Sequence, residues 1–324
     1  MTKLSESQAL LGAVPPSKSR WRGYYELTRL HKPIMGNTLM FWPCAWGLTM
    51  AAYLNGTPLP TLVYQISLFA VASTLLHSAA CVLNDICDID FDKQVERCRS
   101  RPLPSGVVSV SEAWTLLVLL LLPIIGMTVL TNRIATILTL FGIFPLHALY
   151  PLMKRWTYWP QAWLGLAMNW GYVVAWYAIS DSSSPLSKST IGTIVSFFLG
   201  TVCWTIVYDT IYACQDRSDD VHAGVKSTAL LFGAYVRPIL IVFTLLFLLL
   251  LLLAGTLNGQ GVGYFVVSCA GSAAHFGWQF WSWEVERPED GGRKFQANGW
   301  TGLLIWVGMV VDYWLRHGGA LASA

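Results

Sequence analysis

Apolar stretches of membrane-spanning length recur along this chain, and short polar segments separate them. A helix that crosses a bilayer needs about 17 to 25 predominantly apolar residues. Nine stretches meet this requirement, and we predict a transmembrane helix near each of 36–54, 61–83, 107–130, 133–150, 159–180, 189–208, 228–256, 262–282 and 299–315. The pattern therefore predicts an all-α integral membrane protein.

Composition agrees with this prediction. The chain is 54% hydrophobic and only 12% charged, whereas about a quarter of the residues in a soluble domain are charged. A soluble class is thereby excluded. We expect membrane lipid around the protein and no nucleic-acid partner, while the oligomeric state is not encoded in any pattern that we recognise.

Basic residues are distributed unequally between the two predicted faces. With nine spans, only Arg133, Lys188 and Arg316 of the 21 Lys and Arg residues fall on one face, and the other eighteen share the face of the N-terminus. Cytosolic loops carry the excess of Lys and Arg, so this second face is predicted to be cytosolic. Residues 1–23 are predicted to form a disordered cytosolic tail, and 24–324 to form one intramembrane domain. An endoplasmic reticulum or related membrane is the expected location.

A concentrated acidic motif follows the second predicted span. Asn84 and four aspartates lie within nine residues of the sequence. On an ideal helix with about 100° per residue, Asp85, Asp88 and Asp92 fall within about 60° of one another. Asp90 points to the opposite side. The spacing therefore predicts three carboxylates on one helical face.

A second cluster of aspartates with similar helical spacing follows the sixth predicted span. Asp209, Asp216 and Asp220 fall within about 40° of one another in helical phase. Both motifs lie on the predicted cytosolic face. A solvated acidic helix end is the alternative interpretation of one motif alone, and the repetition argues against it.

Clustered hard oxygen ligands suit Mg²⁺, which typically joins one or two carboxylates to a substrate phosphate. Arginine and lysine side chains near the same face suit the phosphate itself. Carboxylates and cations at one mouth of an apolar bundle therefore suggest a diphosphate whose hydrophobic tail lies inside the bundle. An allylic diphosphate fits both halves of this description, because metal and cations neutralise the leaving group.

The chain resembles the UbiA-type intramembrane aromatic prenyltransferases. The resemblance rests on Asn-Asp-x-x-Asp-x-x-x-Asp at 84–92, Arg-Pro-Leu-Pro-Ser-Gly at 101–106, Tyr-Pro-x-x-Lys-Arg at 150–155, and Tyr-Asp-Thr-x-Tyr-Ala-x-Gln-Asp-x-x-Asp-Asp at 208–220. It implies nine transmembrane helices around a central cavity and transfer of a prenyl group to an aromatic ring. The implied partners are a prenyl diphosphate and an aromatic acceptor.

Each matching position takes a role from this resemblance. The implied metal ligands are Asn84, Asp85, Asp88, Asp92, Asp209, Asp216 and Asp220, of which Asp88, Asp92, Asp209 and Asp216 are the implied catalytic residues. The implied diphosphate contacts are Arg97, Arg101, Lys154, Arg155 and Lys226. Candidate acceptor contacts are Arg29, Asn37, Asn169 and Tyr212.

One departure from the family pattern bears on the substrate. Members of the ubiquinone pathway usually carry an acidic residue at the position of His31, and they lack the extra Met35. The chain thus looks more like fungal enzymes that prenylate polyketide-derived phenolic acids in meroterpenoid pathways, commonly with farnesyl diphosphate. A 4-hydroxybenzoate polyprenyltransferase of ubiquinone biosynthesis is the alternative, and an ion or phosphate transporter is a remote one.

Overall fold

The apolar stretches fold as helices, because a backbone in a bilayer must satisfy its own hydrogen bonds. The computed structural model describes residues 19–32, 36–94, 96–129, 131–181 and 185–321, and these contain helices and no strand. The α-helices are α1 (Arg20–Leu27), α2 (Gly36–Asn55), α3 (Leu59–Cys87), α4 (Ile89–Asp92), α5 (Glu96–Arg99), α6 (Val110–Val129), α7 (Arg133–Phe141), α8 (Ala148–Trp156), α9 (Pro160–Ile179), α10 (Lys188–Ala213), α11 (Arg217–Ala223), α12 (Thr228–Phe232), α13 (Val236–Leu257), α14 (Gly271–Ser282) and α15 (Pro288–Leu321).

Several of these helices continue into one another. The π-helical residues Gly142–His147 join α7 to α8, and Tyr264–Ala270 lead into α14 in the same way. A 3₁₀ turn at Cys214–Asp216 prolongs α10, and another at Gly233–Tyr235 joins α12 to α13. Within the described ranges, nine long helical segments result when each continuous segment is counted once.

The number of membrane spans stays a prediction. Among the described residues, five segments are long and apolar enough to cross a membrane on their own, namely Leu59–Cys87, Val110–Val129, Arg133–Trp156, Lys188–Asp216 and Thr228–Leu257. The predicted tail, 1–23, lies mostly outside the described residues, and α1 already begins at Arg20.

Consecutive long segments run in alternate directions between two ends of the bundle. At the end that we call the motif end, α3, α8 and α10 finish, and the backbone N–H of Lys226 donates to the carbonyl of Lys154 over 2.9 Å. At the opposite end, the Tyr53 hydroxyl donates to the carbonyl of Gly259. The Tyr313 hydroxyl likewise donates to that of Thr57. Both aspartate motifs therefore lie at the same end.

A core of aromatic side chains packs between α2, α9 and α10. The rings of Tyr172 and Phe197 are stacked with centroids 4.5 Å apart, and Trp46 lies 5.3 Å from Trp204. A buried indole N–H needs an acceptor, and Nε1 of Trp204 finds it in Oδ1 of Asn298 at 2.8 Å. These buried aromatic side chains form the core of the bundle.

Close approach of α2 and α9 requires a glycine. A Cβ at Gly47 would collide with the carbonyl oxygen of Tyr172. Small residues let helix backbones approach closely in membranes, where van der Waals packing drives association. Gly47 thereby fixes the spacing of the two helices that line the centre of the bundle.

Candidate functional site

The first aspartate motif spans a helix break. Helix α3 ends at Cys87, Asp88 caps it with φ −98° and ψ 6°, and α4 starts at Ile89. The prediction of one uninterrupted helical face was therefore wrong in detail. The three carboxylates of Asp85, Asp88 and Asp92 are nevertheless all buried, whereas the Asp90 side chain is 84% exposed, as its helical phase predicted.

Arginine side chains hold two of these carboxylates. Nη2 of Arg29 lies 2.7 and 2.8 Å from the two carboxylate oxygens of Asp85. Nη1 of Arg101 lies 2.7 Å from Oδ2 of Asp92 and 3.4 Å from Oδ1 of Asp85. Arg101 thus bridges two members of the motif, and Arg29 ties the segment that follows α1 to α3.

The backbone of Arg29 adopts a conformation that few residues tolerate. Its φ is 58°, the only positive value among the described residues other than glycine. Left-handed backbone in a residue with a Cβ costs about 1 to 3 kcal/mol and persists where the surroundings enforce it. Here the bonds to Asp85 and to the carbonyl of Glu26, at 2.8 Å, hold the side chain over the motif.

Asp88 faces a second pair of cations. Nζ of Lys154 lies 3.9 Å from one of its carboxylate oxygens, and Nη2 of Arg155 lies 3.7 Å from the other. Arg155 also donates to the carbonyl of Cys87 at 2.6 Å. Asn84 donates from Nδ2 to Asp88 at 3.0 Å. Burial raises the pKa of Asp88 above its ordinary value despite these cations, so its ionised form depends on positive charge nearby.

The second aspartate motif divides at the end of α10. Asp209 lies on α10, but the 3₁₀ turn at Cys214–Asp216 and the start of α11 interrupt the helix before Asp220. A 3₁₀ turn advances about 120° per residue where an α-helix advances about 100°. The three aspartates therefore do not lie on one continuous helix, and the alignment of their carboxylates stays a prediction.

Gln161 lies next to Asp209. Its side chain interacts with the Asp209 carboxylate, and its Oε1 accepts the backbone N–H of Thr228 at 3.0 Å. The Thr228 hydroxyl is in turn 2.6 Å from that of Thr210. One glutamine thus ties the start of α9, the aspartate on α10 and the start of α12 together.

Lys154 connects the two motifs electrostatically. Its ammonium interacts with the carboxylate of Asp88 in the first motif and with those of Asp209 and Asp220 in the second. Charges interact strongly where little water screens them. The lysine therefore lies between the two motifs, where an anionic ligand bound to its ammonium would be close to both aspartate motifs.

A cavity of about 300 Å³ opens between these elements. Its cationic lining residues are Arg29, Lys32, Arg101 and Lys154, and its acidic and amide lining residues are Asn84, Asp85 and Asp209. Its aromatic lining residues are Tyr150, Tyr208, Tyr212 and Phe295. The lining thus combines cationic, acidic and aromatic side chains, so it can take a ligand with a charged head.

A smaller apolar cavity of about 80 Å³ lies next to the first. The two share the lining residues Met40, His147, Ala167 and Met168. Beyond them the apolar cavity runs past Ala72 on α3 and Ile124 on α6. An elongated ligand can therefore extend from the charged lining into an apolar one.

The structure brings together many, but not all, of the predicted site residues. The larger cavity is lined by seven of them, namely Asn84, Asp85, Asp209, Arg29, Arg101, Lys154 and Tyr212. Three others do not line the cavity but form the ion pairs described above, namely Asp92 with Arg101, and Asp88 with Arg155. Asp216 and Asp220 are partly buried at the end of α10 and the start of α11. The side chain of Arg97 lies outside the described residues.

Three predicted contacts lie elsewhere. Nζ of Lys226 is 5.6 Å from the centre of the Tyr158 ring. Nδ2 of Asn169 donates to the Thr205 hydroxyl at 2.8 Å between α9 and α10. Asn37 is buried near the start of α2. In the described structure none of the three lines either cavity, and their ligand-binding roles stay predictions.

Sequence reasoning missed two histidines. His77 lines the larger cavity and His147 lines both. Each lies inside a predicted span, and an ionisable residue in a membrane segment is by default a candidate for function. That signal was available in the sequence.

Comparisons with known proteins agree with this architecture. The model of the UbiA prenyltransferase family matches residues 40–307. The UbiA prenyltransferase claS of Ampulloclitocybe clavipes is 43% identical over 307 residues, which cover 94% of this chain and 96% of that protein. The 4-hydroxybenzoate octaprenyltransferase of Pseudomonas aeruginosa (strain UCBPP-PA14) is 40% identical over 293 residues, covering 90% and 94%.

Two solved structures share the fold. The apo structure of a UbiA homologue from Aeropyrum pernix K1 superposes with a TM-score of 0.70 at 24% identity, over 85% of this chain and 97% of that one. A UbiA homologue from Archaeoglobus fulgidus bound to GPP and Mg²⁺ gives 0.62 at 18% identity, over 90% and 99%.

The chain therefore belongs to the UbiA prenyltransferase family. It is an integral membrane enzyme with an all-α fold, and its class is that of the aromatic prenyltransferases. The predicted family, fold class and enzyme class are confirmed, and the transporter alternative is set aside.

Proposed function

We propose that this enzyme transfers a prenyl group, preferably farnesyl, from an allylic diphosphate to the ring of a polyketide-derived phenolic acid in meroterpenoid biosynthesis, with Mg²⁺ as cofactor. One observation carries the proposal. The charged cavity at the motif end shares four lining residues with an adjacent apolar cavity. A prenyl diphosphate matches this pair of cavities, because it has a charged diphosphate head and an apolar tail.

The cations of the larger cavity would bind the diphosphate. Lys32 and Lys154 line it without a carboxylate closer than the 3.9 Å between Lys154 and Asp88 in the described structure. Arg29 and Arg101 are more tightly paired with Asp85 and Asp92. Positive groups fixed where the leaving group gains charge stabilise the transition state without reorganising. These four side chains supply that stabilisation.

The donor atoms at the mouth fit Mg²⁺ bound jointly with a diphosphate. Among the described residues, no three His, Cys, Asp or Glu side chains form a ready metal site. Oδ1 of Asn84 is nevertheless buried and without a hydrogen-bond partner, and the carboxylates of Asp88 and Asp209 flank Lys154. Mg²⁺ usually takes one or two carboxylates and completes its shell with water and substrate phosphates. Asn84, Asp88 and Asp209 are the residues that would hold it, and the ion would neutralise the leaving diphosphate.

Aromatic rings also line the larger cavity. Tyr208 and Tyr212 both pack on Phe295, with ring centroids 5.4 and 4.7 Å apart. The face of an aromatic ring attracts a cation, so these rings can stabilise the allylic carbocation. Burial of the cavity also protects that cation from water. The acceptor ring would stack in the same region.

Donor length is inferred from the tail path. Each isoprene unit adds about four to five ångströms, so some ten units would overrun a bundle that spans a bilayer core of about 30 Å. A farnesyl tail of three units fits inside. The similar proteins include the fungal prenyltransferase claS and 4-hydroxybenzoate octaprenyltransferases, so ubiquinone biosynthesis is the competing assignment.

The proposed location is the endoplasmic reticulum or a related membrane, with the motif end facing the cytosol. Eighteen of the 21 basic residues fall on that face in the nine-span layout. Cytosolic substrates would then reach the charged cavity directly.

A competition assay tests the substrate assignment. Membranes containing the enzyme are given farnesyl and long-chain polyprenyl diphosphates together, with a substituted phenolic acid and 4-hydroxybenzoate as competing acceptors. We expect the farnesylated phenolic acid to dominate. Efficient long-chain prenylation of 4-hydroxybenzoate, with rescue of respiratory growth in a strain lacking the quinone enzyme, would assign the chain to ubiquinone synthesis instead.

A further inference from the structure

His147 occupies an unusual position in the helix that carries it. It is the last residue of the π-helical segment Gly142–His147. Its Nδ1 lies 2.8 Å from the carbonyl oxygen of Gly142, five residues earlier. A carbonyl oxygen can only accept, so Nδ1 must carry the proton. In the neutral ring, Nε2 is then an unprotonated nitrogen with a free lone pair.

That lone pair has no partner among the described residues. Nε2 of His147 is buried and lacks a hydrogen-bond partner, and the residue is only 9% exposed. A buried polar atom without a partner is costly, and each case in a native protein calls for an explanation. A bound substrate can supply the missing donor.

The same side chain marks the boundary between the two cavities. It lines both the charged cavity and the apolar one. The first carbon of a prenyl diphosphate is bonded to a diphosphate oxygen on one side and to the apolar tail on the other. This carbon must therefore lie where the cavities meet, and His147 lies beside that point.

We infer that Nε2 of His147 is the base that receives the proton which the aromatic acceptor loses. The inference rests on the proposed function. The allylic carbon–oxygen bond breaks, and its electron pair leaves with the diphosphate. A π pair of the acceptor ring forms the new carbon–carbon bond. The ring carbon then loses its proton to Nε2, the electrons of that carbon–hydrogen bond restore aromaticity, and the imidazolium passes the proton to the departing diphosphate or to water.

Other groups of the cavity are less available for this step. Both oxygens of Asp85 are occupied by Arg29. The ring nitrogens of His77 lie 3.9 and 3.7 Å from the sulfur of Cys81. The Asp209 carboxylate interacts with the ammonium of Lys154 and the side chain of Gln161. Of the described residues that line both cavities, His147 alone has a side chain that can accept a proton.

The test replaces His147 by asparagine. The introduced amide can keep an N–H that donates to Gly142 but has no nitrogen lone pair at the position of Nε2, so His147→Asn separates the structural bond from the base. General-base catalysis contributes about 10²- to 10⁴-fold, and we expect a loss of kcat in this range with an unchanged KM for the prenyl diphosphate. A ring-deuterated acceptor should show a primary isotope effect in the variant, because proton removal becomes rate-limiting there, and none in the wild type.

Controls separate the outcomes. His275 also lies on a helix, bonded to the Thr301 hydroxyl at 2.8 Å, and it lines neither cavity in the described structure. His275→Asn should leave kcat and the isotope effect unchanged. His147→Gln provides a second variant if His147→Asn does not fold. Wild-type kcat in a folded His147 variant, or a lower kcat without an isotope effect, would refute the role of His147. A wild-type enzyme that prenylates no phenolic acceptor would instead refute the proposed function, and this inference with it.

Discussion

Arg29 and Asp85 form a two-point ion pair across 56 residues of sequence, with one guanidinium nitrogen 2.7 and 2.8 Å from the two carboxylate oxygens. Asp85 is 1% exposed, so its charge depends on this partner. Arg101 supplies only a longer contact of 3.4 Å. The pair joins the segment after α1 to the last turn of α3, and both residues line the charged cavity.

We predict that Arg29→Gln destabilises the protein more than Asp85→Asn does. Removing one partner of a buried pair costs about 3 to 5 kcal/mol because the other charge stays buried, and the Arg101 contact places this case at the lower end. The thermal midpoint in detergent should fall by several degrees, and the double variant should recover part of the loss.

Arg22→Gln is the matched control, since its pair with Glu26 is largely exposed on the Arg22 side and exposed pairs contribute at most about 1 kcal/mol. Equal midpoints for Arg29→Gln and Arg22→Gln would contradict the prediction.

Asp88→Asn should nearly abolish transfer while the protein stays folded. Loss of a charge that holds the metal and diphosphate weakens stabilisation of the transition state, and we expect at least about a 100-fold lower rate. Asp90→Asn, two residues on, should retain full activity, because that side chain is exposed and contacts Lys93 at 3.3 Å. The measurement is the initial rate at saturating Mg²⁺. Similar losses in both variants would show that the motif does not act through its buried face.

The fold and the site differed in how far the sequence could predict them. The apolar stretches predicted the long helices, and clustered aspartates correctly predicted which end carries the charge. Helical phase treated Asp85, Asp88 and Asp92 as one face, but α3 ends at Cys87 and the chain turns there. Their convergence instead depends on Arg101, which lies nine residues after Asp92 and bridges it to Asp85. Such a contact is tertiary and leaves no periodic signal.

The second motif illustrates the same limit. Asp209 reaches the cavity, but the 3₁₀ turn at Cys214–Asp216 changes the phase of everything after it. Its partner Gln161 lies 48 positions earlier in the numbering, on another helix. Local pattern predicts which residues are polar and roughly where they lie, whereas tertiary packing decides which atoms meet.

The apolar cavity should control the length of the prenyl donor. Ala72 lines this cavity on α3, so Ala72→Leu should narrow it. We expect a preference for dimethylallyl over farnesyl diphosphate, seen as a lower kcat/KM for the longer donor and little change for the shorter one. Val71→Leu is the control at the adjacent position, where the side chain is 55% exposed on the outer surface. An unchanged donor preference in Ala72→Leu would place the tail elsewhere.

Orientation is predicted by the distribution of basic residues. A tag at the N-terminus should be cleaved by protease added outside sealed microsomes, and a tag at the C-terminus should be protected. This follows from an odd number of spans with the basic face in the cytosol. Protection of the N-terminal tag would reverse the orientation, and cleavage of both tags would require an even number of spans.

The most direct test of the central claim is product analysis with the purified enzyme in lipid. Farnesyl diphosphate and a substituted phenolic acid are incubated with Mg²⁺ or with a chelator, and the products are identified by mass spectrometry and NMR. We predict a farnesyl group bonded to a ring carbon, formed with Mg²⁺ and absent with the chelator. Failure to form any prenylated phenol with Mg²⁺, or equal product with the chelator, would contradict the account of the charged cavity as a metal-dependent diphosphate site.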